Sequence, residues 1–149
     1  MPKDALLSAA ASFQALPHRL QKVTNFEGVD FWNDSKATNF DAALAAVASM
    51  VTPVFWIGGG RAKGGDHTGF AADLSKGIVA AYLYGEAGTL LASPLSARLN
   101  QVFTFSTLPE AIQAAARDAL VAAPASVLLS PGFSSFDLLN SYEDRGECF

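Results

Sequence analysis

Asn33-Asp34-Ser35-Lys36-Ala37-Thr38-Asn39 sets seven small, polar or charged residues between two segments of different periodicity. Upstream, Val29-Asp30-Phe31-Trp32 alternates as a half-buried strand does; downstream, Phe40 to Val47 carries the apolar stripe of a helix. Thr38 or Asn39 can cap that helix by accepting from a free backbone N–H. A strand–loop–helix unit of this kind places the Asp34 carboxylate, the Lys36 ammonium and the amides of the helix start together. They meet at the carboxyl end of a strand, where open α/β sheets bind ligands.

Working outward, a hairpin is expected from Leu20–Phe26 and Val29–Asn33, joined at Glu27-Gly28, where glycine supplies a positive φ. Before it, Asp4–Ala15 reads as a short helix that Leu16-Pro17 ends. After the helix of about Asn39–Met50, Val54-Phe55-Trp56-Ile57 reads as a buried strand running into three glycines. Further strands are expected at Ile78–Leu83, Val102–Phe105 and Ser126–Leu129, and helices at Phe70–Lys76, Glu86–Leu91 and Leu108–Ala122. Alternation of this kind implies right-handed crossovers and a mostly parallel sheet in a three-layer α/β/α domain, with the early hairpin placing an antiparallel strand at one edge.

A chain of 149 residues, half of them hydrophobic and 16% charged, is read as one domain able to bury a real core. The net charge of −4 and pI near 5.0 exclude a general attraction to nucleic acid or anionic lipid. No apolar run is long enough to span a bilayer and no signal peptide is recognisable, so a soluble, cytoplasmic protein is expected. The single cysteine, Cys148, lies among Glu143, Asp144 and Glu147, an acidic setting that does not favour a thiolate, and is read as incidental.

If the sheet is parallel, the loops after Asn33, Ile57 and Leu129 leave the same edge. The second, Gly58-Gly59-Gly60-Arg61-Ala62-Lys63-Gly64-Gly65-Asp66, offers unobstructed amides and two cations to a phosphate or carboxylate. It has neither P-loop nor dinucleotide-fold spacing. The third, Ser130-Pro131-Gly132-Phe133-Ser134-Ser135-Phe136-Asp137, offers two hydroxyls and several amides, which suit a carboxylate. No G-x-S-x-G elbow supports a serine hydrolase. His18 and His67 have no Cys/His spacing for zinc, so no metal site is assigned. Arg19 can grip a phosphate bidentately. The plainer readings are that Asp34 caps a turn, that Lys36 is solvated, that the glycines serve tight packing, and that Trp32 and Trp56 are core residues. Three such loops on one sheet edge favour a site.

Leu16-Pro17-His18-Arg19, Gly28-Val29, the run Asn33–Asn39, Gly59-Gly60-Arg61-Ala62-Lys63-Gly64, Leu129-Ser130-Pro131, Ser134-Ser135-Phe136-Asp137 and Tyr142-Glu143-Asp144-Arg145-Gly146 follow one another in an order that resembles a known family. It is the C-terminal domain of UDP-N-acetylmuramoyl-L-alanine:D-glutamate ligases, within the Mur ligases of peptidoglycan synthesis. The resemblance implies a Rossmann-like domain that delivers the amino acid, with a UDP-sugar domain and a central ATPase domain as its missing partners and Met1 as a fragment start. It implies ATP and Mg2+ as cofactors, bound mainly by the central domain. ATP would activate the carboxyl of UDP-N-acetylmuramoyl-L-alanine as an acyl phosphate, which the D-glutamate amine attacks. It further implies that Thr38 and Lys63 hold the α-carboxylate, and that Ser135 and the Tyr142 amide hold the side-chain carboxylate. Arg19 and Asp34 would reach the nucleotide, with Lys36 near its phosphates; Asn33 and Ser35 would shape the loop. No catalytic nucleophile is expected from this chain, which alone should be inactive and monomeric. A stand-alone α/β module binding an anionic metabolite or nucleotide without turnover is the alternative, and a packing-only domain a third.

Overall fold

The computed structural model describes residues 16–136 and 139–149. The helix expected at Asp4–Ala15 lies outside them. Six strands form one sheet in the order β1-β2-β6-β3-β4-β5. They are β1 (Gln21–Phe26), β2 (Val29–Asn33), β3 (Val54–Gly59), β4 (Ala80–Tyr84), β5 (Val102–Phe105) and β6 (Ala125–Gly132). The helices are α1 (Phe40–Ala48), α2 (His67–Leu74), α3 (Gly85–Ser96), α4 (Leu108–Val121) and α5 (Tyr142–Glu147).

Among the described strands only β1 runs antiparallel, at one edge, as the hairpin implied. Glu27 and Gly28 both have positive φ, 49° and 84°, the geometry whose twist matches the flanking strands. Alternating side chains sort the sheet into two faces. Trp56, Leu83 and Leu128 pack with Ala43, Val47, Phe70, Leu74, Leu91 and Leu95 of α1, α2 and α3. Phe55, Ile57, Tyr82, Val127 and Leu129 pack on the opposite face against Leu108, Ala111, Ala115 and Ala119 of α4. Helices on both faces are what a parallel sheet needs to cover its strands.

Three elements run longer than their sequence suggests, and the first, β3, continues past Ile57 through Gly58 and Gly59. β6 continues through Ser130-Pro131-Gly132, and its whole length is buried. As the strand between β2 and β3, it has neighbours on both sides, and the pairing of Gly132 with Gly59 carries it past the turn-forming residues. α3 begins at Gly85 and passes through Pro94 in its last turn, where only one helical hydrogen bond is lost. α4 has both halves of a capping box, Thr107 with Glu110.

The register brings the site strands level. Asn33 of β2 stands beside Leu129 of β6, and Leu129 beside Ile57 of β3. The three loops identified in the sequence thus leave three adjacent strands at one edge.

Gly59 marks a close approach between β3 and β4: its φ is +139°, and an added Cβ would lie 1.9 Å from the Tyr84 carbonyl oxygen. Gly59→Ala is expected to cost about 2 kcal/mol or more. Gly64→Ala, where a Cβ would meet nothing within 4 Å, should stay within about 0.5 kcal/mol. Urea denaturation midpoints check both; similar midpoints for the two variants would contradict this account of Gly59.

Candidate functional site

Loop one is held by its own polar residues. Asn33 Oδ1 accepts from the Ser35 N–H at 3.2 Å, Ala37 N–H donates to the Asp34 carbonyl at 2.8 Å, and Lys36 N–H donates to the His18 carbonyl at 2.9 Å. Asn39, rather than Thr38, caps α1, accepting from Ala42 N–H at 2.8 Å. The Asp34 carboxylate turns inward: Oδ1 accepts from Leu20 N–H at 2.9 Å and Oδ2 from Ser130 Oγ at 2.7 Å. It therefore ties the start of the hairpin to β6 while remaining at the rim of a groove of about 330 Å³ lined also by Arg19, Lys36 and Asn39.

Loop two brings a cation to loop one. Lys63 Nζ donates to the Thr38 carbonyl. Arg61 N–H donates to the Ser134 carbonyl at 2.9 Å, joining loop two to loop three, and Gly132 N–H donates to the Ala37 carbonyl at 2.9 Å, joining three to one. Ser135 is buried, and its carbonyl accepts from Leu139 N–H at 3.1 Å. Tyr142 opens α5, and Lys36 Nζ stands 5.5 Å from the centroid of its ring. The structure thus joins Thr38 to Lys63, groups Arg19, Asp34 and Lys36 on one groove, and sets Lys36 against Tyr142. Among the described residues no hydrogen bond joins the Thr38–Lys63 pair to Ser135 or Tyr142, and none joins Ser135 to Tyr142.

Arg145, for which the sequence suggested no role, is the clasp behind this edge. Its fully buried guanidinium donates from Nε to Ser35 Oγ at 3.0 Å, from Nη2 to the Ser35 carbonyl at 2.7 Å, and from Nη1 to the Phe133 carbonyl at 2.8 Å. The Ser35 hydroxyl in turn donates to the Tyr142 carbonyl at 2.7 Å, and Asn33 Nδ2 donates to the Gly146 carbonyl at 2.9 Å. Asn33 and Ser35 shape the loop by these bonds. His18 packs beside them: its Nδ1 lies 3.2 Å from Asn33 Nδ2 and its Nε2 3.4 Å from Glu147. The amide donates to Nδ1, which leaves the ring proton on Nε2.

Residues 18–133 match the family described as Mur ligase, glutamate ligase domain. The chain belongs to that family. UDP-N-acetylmuramoylalanine–D-glutamate ligase of Nostoc punctiforme is 40% identical over 99% of this chain and 30% of its own length. The Synechocystis enzyme of the same name is 39% identical over 99% of the chain and 33% of its own. The chain therefore spans about a third of the length of these relatives. Among solved structures, E. coli FolC in complex with DHPP and ADP superposes with a TM-score of 0.65 at 22% identity, covering 99% of this chain and 33% of that one. MurF from Acinetobacter baumannii gives 0.65 at 14% identity, covering 89% and 32%. At these identities the likeness is one of fold, and this Mur ligase domain shares it.

Removing the clasp should be costly. Arg145→Met would leave a buried hydroxyl and two carbonyls without their donor, and is expected to lower stability by about 3 kcal/mol. A loss under about 1 kcal/mol in urea denaturation would show that α5 is not held this way. Asp34 gives a pH test. Burial pushes its carboxyl above the usual carboxylate range, against the hydrogen bonds from Ser130 and Leu20 and the nearby Arg19 charge. The folded state then holds this proton more tightly than the unfolded chain, so the stability linked to Asp34 is fully present below its ordinary value of 3.8 and is lost as pH rises through the folded value. Wild type should therefore gain on Asp34→Asn as pH is lowered from neutral to about 4. Paired denaturation curves across that range decide it, and a stability difference independent of pH would contradict the assignment.

Proposed function

We propose that this chain is the amino-acid-delivering part of an ATP-dependent ligase that adds D-glutamate to UDP-N-acetylmuramoyl-L-alanine. The observation that carries the reading is the meeting of Lys63 with Thr38 at the head of α1, on the same sheet edge as buried Ser135. Relatives named for D-glutamate ligation over nearly the whole chain support it.

In this reading the Lys63 ammonium and Thr38 take the α-carboxylate of D-glutamate, and Ser135 with the Tyr142 amide takes the side-chain carboxylate. Two separate sets of donors suit a dicarboxylate, because a monocarboxylic amino acid would leave one set without its charge partner. Fixing both ends orients the amine between them. Placement of a nucleophile in this manner can contribute roughly 7–11 kcal/mol in well-oriented systems. The chain need supply no covalent nucleophile.

The groove of Arg19, Asp34, Lys36 and Asn39 fits part of a nucleotide. Arg19 and Lys36 supply cations for phosphate. Asp34, although bonded through both oxygens, keeps acceptor capacity for a ribose hydroxyl. ATP, when bound, supplies the phosphoryl group that activates the acceptor carboxyl. Among the described residues no cluster of three or more His, Cys, Asp or Glu could hold a metal ion; Mg2+ would come with the nucleotide, held by the rest of the parent chain. Closure of this domain on its partners would complete the site.

The test is ADP release by the parent protein with ATP, UDP-N-acetylmuramoyl-L-alanine and either enantiomer of glutamate. Wild type should respond to D-glutamate, and Lys63→Ala and Ser135→Ala should each lower kcat/KM for it by roughly 10- to 100-fold, the worth of a hydrogen bond to a charged group. A wild type that releases no ADP in response to either enantiomer would sink the ligase reading and leave a binding module in its place.

A further inference from the structure

Phe40 occupies the first position of α1, two residues after Thr38, and its ring is the point at which the three loops meet. One ring stacks on Phe70 of α2 with centroids 4.3 Å apart and planes 9° from parallel. Phe133 of loop three and His67 of α2 meet it edge to face, at 5.2 Å and 5.8 Å. Loop two wraps its rim so closely that a Cβ on Gly65, whose φ is +141°, would lie 2.9 Å from Phe40 Cε2. Lys63 Nζ stands 6.0 Å from the ring centroid.

Lys63 is exposed and sits in a glycine-rich loop, so its long side chain would otherwise sample many rotamers. Among the described residues two groups hold its ammonium: the Thr38 carbonyl and the Phe40 ring. An aromatic face attracts a cation through its quadrupole and, unlike a carboxylate, does so without neutralising it. The charge stays available to an incoming anion. The same ring touches Phe133, two residues from Ser135, so its placement also sets Lys63 relative to the second donor cluster.

We infer that Phe40 is a positioning residue for the amino-acid substrate: its ring holds the Lys63 ammonium ready for a carboxylate and fixes the spacing between the Lys63 and Ser135 clusters. This rests on the reading of Lys63 as the α-carboxylate donor. It goes beyond that reading in assigning part of the affinity to a residue that touches no substrate.

The experiment replaces Phe40 in the parent protein with mono-, di- and trifluorophenylalanine, which drain the ring face of electron density at nearly constant shape, and separately with Leu. KM for D-glutamate should rise stepwise along the fluorinated series and by roughly three- to tenfold in Phe40→Leu, with KM for ATP within about twofold of wild type. A second readout needs no turnover. With lysines carrying ¹³C-methyl groups and Lys63 assigned by Lys63→Arg, the ring-current shift of the Lys63 methyls should disappear in Phe40→Leu. A fluorinated series with flat KM overturns the inference, even if Phe40→Leu is impaired, because shape alone would then explain the loss. An unshifted Lys63 signal overturns it as well. Absence of D-glutamate-dependent ADP release by the wild type is a separate result, seen before any Phe40 variant is made, and counts against the ligase reading itself.

Discussion

The parallel pairing of β2, β6 and β3 is the constraint on which the remaining features depend. With Asn33 beside Leu129 and Leu129 beside Ile57, three strands reach the sheet edge at the same level. Each then releases a loop whose polar groups face those of its neighbour. A parallel sheet can hold this arrangement only when both of its faces are buried. The apolar side chains of α1, α2 and α3 on one face and the alanine-rich α4 on the other provide that burial. Loop chemistry is thereby delegated to residues free of packing duty.

The edge is stiffened from behind by charge rather than by apolar contact. Arg145 spends its donors on Ser35 and the Phe133 carbonyl, and Asn33 bonds to Gly146, so that the short α5 is fastened across loops one and three. A buried guanidinium is tolerated only where its N–H groups are satisfied, and here a hydroxyl and two carbonyls satisfy it. The groups proposed to meet ligand, Lys63 and Arg19, are by contrast exposed. A buried clasp behind and exposed cations in front keep the loops in place while their charges stay open to an incoming anion.

Much of the fold could be read along the chain because it follows from local periodicity and turn chemistry. The hairpin at Glu27-Gly28, a helix cap at Thr38 or Asn39 and the apolar strand Val54–Ile57 each declare themselves within a few residues, and the structure selects Asn39 as the cap. The candidate loops were legible for the same reason, since runs of glycines, serines and lone charges at strand ends break the apolar periodicity on either side of them. Other features were not legible. Pro131-Gly132 reads as a turn, yet continues a buried central strand. Arg145, set in an acidic stretch, has nothing in its neighbours to announce its burial, yet it is fully buried. Phe40 reads as one more apolar residue of a helix face, yet gathers Lys63, Gly65 and Phe133 around it.

By itself, then, the sequence determined the order and kind of the elements from β1 to β6, the antiparallel edge and the three loops that carry polar chemistry, because these depend on residues close together in the chain; the helix Tyr142–Glu147 it did not declare. The tertiary structure alone decided which groups meet: Lys63 on Thr38 across 25 residues, Asp34 on Ser130 across 96, and Arg145 on Ser35 across 110. Those meetings depend on strand register, which a shift of one residue would destroy by turning each side chain to the opposite face. No local pattern specifies such a long-range alignment. It emerges only when both faces of the sheet find their helices.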